Sequence, residues 1–173
     1  MAFHEDKLPP LQMKRPKGLM VLLVLTWVNT FLSMVTTVFS ILFIRPSAHD
    51  LEREKIETAK SLIELKKLGM DSLVDLLERI QAMTEAMQPY FMQSNLVSLV
   101  VLICGAIAAF LMYQRNVLGF HLYIIYNLAS VGSIYLFVVP SLVPSVIILV
   151  NSVLALIFVL LYAKHLTWLK NED

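Results

Sequence analysis

Residues 19–44 read LMVLLVLTWVNTFLSMVTTVFSILFI, and none of these side chains is ionisable. As an α-helix rising about 1.5 Å per residue the stretch is roughly 39 Å long, more than the ~30 Å hydrocarbon core of a bilayer. It reads as a transmembrane helix. Thr26, Thr30, Ser33, Thr37 and Ser40 recur along it at steps of four and three, so small hydroxyl-bearing residues share one helical face. Lipid tails are as apolar as leucine, and helices in a membrane therefore meet through close approach at small residues and through interhelical hydrogen bonds. The hydroxyl face is expected to be the surface on which other spans pack.

The whole chain matches that start. Of 173 residues 58% are hydrophobic and 16% charged, with a mean hydropathy of +0.72, too apolar a balance for a soluble domain with a polar skin. Lys and Arg number 14 against 13 Asp and Glu, so charge points neither to nucleic acid nor to an acidic partner. Cys104 is the single cysteine and lies in an apolar run, which excludes a disulfide-stapled secreted module. None of the asparagines is followed two places on by Ser or Thr, a pattern that favours a bacterial or organellar membrane over a glycosylating secretory route.

Working outward, residues 1–18 form a polar tail containing Pro9, Pro10 and Pro16, with Lys14, Arg15 and Lys17 just before the first span. A cleaved signal peptide would need a shorter apolar core and a small-residue cleavage site, so the span is expected to stay in the mature protein. Residues 45–95 separate it from the next apolar run. Arg45 and Pro46 end the first span, Ser47 with Asp50 resembles a capping box, and residues 48–68 are helical by composition. Gly69 suits a helix C-cap, and Asp71 or Ser72 can start a second helix that Pro89 ends. Leu73, Leu76, Leu77, Ile80, Met83 and Met87 follow helical spacing on that second helix, with charges elsewhere on the wheel. An extramembrane amphipathic helical hairpin is the expected arrangement. Within it Arg53 with Glu57 and Glu57 with Lys60 attract, while Asp50 with Glu54 repels.

Residues 96–163 hold three more spans: 96–113, 117–139 and 141–163, the last with Pro144 in its first turn. Residues 164–173 form a short polar tail. The fold class is therefore all-α, a four-span transmembrane helical bundle with a hairpin between spans 1 and 2. The outline of a long first loop is similar to that of tetraspanins and claudins, but their loop cysteines are missing here and no function follows from it. Both termini lie on one side, which receives Lys14, Arg15, Lys17, Arg115, Lys164 and Lys170 near membrane ends. The tight turn Gln114–Arg115–Asn116 is basic and the opposite turn, residues 140–144, is uncharged. With Tyr113, Tyr162 and Trp168 at the same boundary, the pattern favours cytoplasmic termini in a bacterial inner membrane.

No Asp, Glu, Lys or Arg lies within a span, so a proton-driven pump is disfavoured. His121, near the end of span three, reads as an interfacial or packing residue because no charged partner stands at helical spacing. Asn29, Asn127 and Asn151 are the deepest polar residues. Each amide needs a partner where water is absent, which makes them either interhelical glue or the lining of a path for a small solute. Tyr123, Tyr126 and Asn127 with Ser130 could line a pocket on span three. His4, His49, His121 and His165 have no metal-ligand spacing, Cys104 has no nearby base, and no phosphate-binding glycine loop occurs. No cofactor, metal or catalytic group is expected. The expectation is a non-enzymatic scaffold or accessory subunit in the lipid bilayer. It would dock a membrane-protein partner or a second copy through its hydroxyl seam and through Leu73, Leu77, Ile80, Met83 and Met87. The alternative is a small channel or facilitator for a neutral solute.

Overall fold

The computed structural model describes residues 16–44 and 48–170, and among them the regular structure is entirely helical. Four stretches are long and apolar enough to cross a membrane: Lys17–Phe43, Asp71–Tyr113, Val117–Leu136 and Ser145–Ala163, the signature of an integral membrane protein. The expectations on Lys14, Arg15, Arg45, Pro46 and the Ser47 cap lie outside the described residues.

Helix α1, Lys17–Phe43, is the opening stretch almost to its last residue. Helices α2 (Ala48–Lys67) and α3 (Asp71–Met87) follow, joined around Gly69. Gly69 sits at φ +70, its N–H donates to Lys66 O (3.1 Å) and the Met70 N–H donates to Leu65 O (3.1 Å). That double closure consumes two of the carbonyls a helix end leaves unsatisfied and needs a left-handed residue, which glycine supplies without a Cβ clash. The two helices run antiparallel, with Lys55 Nζ 3.2 Å from Glu85 and Lys66 Nζ 3.8 Å from Glu78. Such exposed pairs are worth about 0–1 kcal/mol each. Arg53 pairs with Glu57 at 3.2 Å, as its spacing implies.

Pro89 corrects the expected boundary at residue 95. It ends α3 as an α-helix, but Gln88–Tyr90 form one 3-10 turn and Phe91 resumes helical geometry (φ −49, ψ −49). Proline is tolerated at the start of a helical turn, where its missing N–H would have been unsatisfied in any case. The path therefore continues into α4, Phe91–Tyr113, which begins at Phe91 rather than Leu96.

Helices α4 and α5 (Val117–Gly132) join through the basic turn. Asn116 N–H reaches back to Leu111 O (2.9 Å) and Arg115 N–H to Met112 O (3.1 Å), with Arg115 itself at φ 63. Asn116 then caps α5, its side-chain oxygen accepting from Leu118 N–H at 2.9 Å. The third span is shorter than expected. The α-helix stops at Gly132, tightens to a 3-10 turn over Ser133–Leu136, and ends there because Pro140 forces Val139 into extended geometry (φ −63, ψ 140). For the same reason Val143 is extended before Pro144, so α6 starts at Ser145 and runs to Ala163 with Pro144 as its N-cap, not in its first turn. Tyr90 and Phe137, 5.8 Å apart between ring centroids, tie the α3–α4 junction to the α5–α6 connection.

The segment expected as a polar tail holds α7, Leu166–Lys170, and buries Trp168 and Leu169. Trp168 lies under the Arg115 guanidinium, 4.5 Å from its ring centroid. These side chains join one core with Leu19, Leu22 and Leu23 of α1, Ala108, Ala109 and Met112 of α4, Phe120 and Tyr123 of α5 and Tyr162 of α6. All of them fall near the helix ends that adjoin the chain termini. Beyond that core α1 has no fully buried residue after Thr30, and α6 has none before Tyr162.

Candidate functional site

The divergence of α1 and α6 above the core leaves a cleft of about 540 Å³ between α1, α5 and α6. On α5, Tyr123, Tyr126, Asn127 and Ser130 stand at i, i+3, i+4 and i+7 and therefore share one face, which lines it. Helix α1 contributes Thr26 and Asn29, and α6 contributes Asn151. The three asparagines singled out in the sequence, each on a different helix, thus converge on one cavity. Leu25, Leu154 and Phe158 form its apolar wall.

The end of the cleft nearest the core is shut by tyrosines. Tyr162, with no exposed surface, shares a 2.8 Å hydrogen bond between its hydroxyl and Thr26 Oγ1, and its ring meets Tyr123 edge-on at 4.7 Å. A phenol in an apolar span keeps its ring packed only if the O–H finds a partner, and Thr26 is that partner. Tyr126 packs where α4 has no side chain: a Cβ on Gly105 would lie 2.8 Å from its ring. Asn127 is oriented by its own helix, Nδ2 donating to Tyr123 O at 2.8 Å. Asn29 and Asn151 are exposed, and their amides have no hydrogen-bond partner among the described residues.

Chemically the cleft offers amide, hydroxyl and phenol groups and no Asp, Glu, Lys, Arg or His. It can donate and accept hydrogen bonds but cannot pair a charge. Among the described residues no group of His, Cys, Asp and Glu could hold a metal ion.

The other residues marked in the sequence lie elsewhere. His121 is exposed on the second turn of α5, its Nδ1 3.1 Å from Val117 O, and does not reach the cleft. Leu77 and Ile80 face a groove of about 110 Å³ between α2 and α3, Met83 and Met87 are half-buried, and Leu73 is exposed. Of the hydroxyl seam, Thr26 and Thr30 are buried, and Ser33, Thr37 and Ser40 are half-buried. Tyr162 was missed as a site residue. The signal for it was present, a tyrosine whose hydroxyl must be satisfied inside an apolar run.

No protein-family model matches this chain, and no curated protein or solved structure matches it either.

Proposed function

We propose that this chain is a multi-pass membrane protein, four spans with the α2–α3 hairpin outside the bilayer, that binds a neutral hydrogen-bonding solute in the α1–α5–α6 cleft and carries out no covalent chemistry. The facilitator reading of the sequence is thereby preferred to the scaffold reading. The observation that supports it is the convergence of Asn29, Asn127 and Asn151 on one cavity rather than on separate packed interfaces. Cavities of roughly 300–1,000 Å³ with a few convergent polar groups are the usual form of small-molecule sites, and this one falls within that range. Passage across the membrane requires the Thr26–Tyr162 hydrogen bond to open. The test is uptake of glycerol and urea by proteoliposomes: flux above protein-free liposomes, reduced by Asn127→Leu and raised by Tyr162→Phe, is expected, and flux equal to that of protein-free liposomes refutes the reading.

A second reading keeps the hairpin as a docking arm for a membrane-protein partner. Ile56, Ile63, Leu68 and Leu73 are all exposed along it. Substituting Leu68→Asp and Leu73→Asp abolishes co-purification of a partner if this is correct, and an unchanged set of co-purified proteins refutes it. We also propose cytoplasmic termini in a bacterial inner membrane, supported by the basic α4–α5 turn. Labelling a single cysteine at position 69 from outside intact cells, with position 115 protected, checks the orientation.

A further inference from the structure

We propose that the occupant of the cleft is an uncharged amphiphile that arrives sideways through the bilayer, of the class in which a small polyol headgroup is esterified to an acyl chain. The proposal rests on the reading of the cleft as a ligand site and names the ligand's chemistry and its route.

The route follows from what is closed and what is open. Toward the chain termini the Thr26–Tyr162 hydrogen bond and the buried Tyr123 ring seal the cavity. Sideways, α1 has no buried residue after Thr30 and α6 none before Tyr162, so the two helices leave a gap that opens on hydrocarbon when the spans are in a membrane. A solute coming through that gap must itself be soluble in lipid.

The headgroup chemistry follows from the amides. Asn29 and Asn151 have no partner among the described residues, and lipid tails can offer them none, so a ligand bearing several hydroxyl and carbonyl groups satisfies what the fold leaves open. A phosphate, carboxylate or ammonium would lose its hydration and find no opposite charge. The tail is accommodated by Leu25 and Leu154, which line the same cleft and are about half exposed beside the gap.

The experiment uses the full chain in phosphatidylcholine nanodiscs with tritiated 1-oleoylglycerol as probe, and with oleate and free glycerol as comparators. Saturable binding above empty nanodiscs is expected, displaced by unlabelled 1-oleoylglycerol but not by oleate. Asn29→Leu and Asn151→Leu each weaken it about tenfold, the loss of one buried hydrogen bond, with melting temperatures showing that both variants fold. Equal displacement by oleate, or binding indifferent to both substitutions, overturns the proposal. Binding of free glycerol without 1-oleoylglycerol overturns the amphiphile and its lateral route while leaving the neutral-solute reading standing. Binding of neither overturns the proposal, and the proteoliposome flux assay then decides separately on the broader reading.

Discussion

Helices α4 and α5 meet as closely as two helices can, whereas α1 and α6 touch near one end and part. The cause lies in residue size. At Gly119 a Cβ would lie 2.5 Å from Met112 N and 2.7 Å from Ala108 O, so the α5 backbone rests directly on the α4 backbone, with Ala108 and Ala109 fully buried there. Helix α6 carries Val, Leu and Ile over most of its surface, and its one buried residue is Tyr162. In a medium where apolar side chains gain little by association, small residues decide which helices close up, and polar residues left on open helices become available for a ligand.

The sharpest way to break this contrast is Gly119→Val. The added atoms meet backbone, which cannot move aside, so the chain is expected to lose about 3 kcal/mol of stability, read as a lower melting temperature in detergent. A loss under about 0.5 kcal/mol would mean that the two helices are not in close contact. Next comes a matched pair one turn apart on α1. Thr26→Val strands the buried Tyr162 hydroxyl and costs about 1–3 kcal/mol. Thr30→Val replaces a buried hydroxyl that has no hydrogen-bond partner and is expected to be neutral or mildly stabilising. Equal effects would place the Thr26–Tyr162 bond in doubt.

Gly105→Ala is smaller, about 1 kcal/mol, because its Cβ meets a Tyr126 ring that can rotate away. Since Tyr126 lines the cleft, ligand affinity is expected to fall more than stability does. Smallest of all is Asn151→Leu. On the open side of the molecule it alters stability by less than about 0.5 kcal/mol, and a larger loss would make that asparagine structural glue.

Much of the helical layout could be read in the residues. Gly69 and the Arg53–Glu57 pair each act over a few positions, and local geometry determines them. The start of the helix after Pro89 and the helix ends at Pro140 and Pro144 were misjudged by several residues because a proline can be absorbed in a 3-10 turn or can stand just outside a helix as its cap. The site was legible in parts and not as a whole. Periodicity places Tyr123, Tyr126, Asn127 and Ser130 on one face of α5, but nothing in a repeat fixes how α1 and α6 are rotated toward that face. The Thr26–Tyr162 bond joins residues 136 positions apart, and α7 buries Trp168 in a segment whose flanking lysines read as a solvated tail.

The central claim is that Asn29 and Asn151 face the same cleft across the gap between α1 and α6. Cysteines placed at both positions, in a Cys104→Ala background and in native-like membranes, test it with a short bifunctional maleimide. The account predicts an intramolecular crosslink within the monomer. Crosslinks formed only between chains, or none with both cysteines reactive, would contradict it.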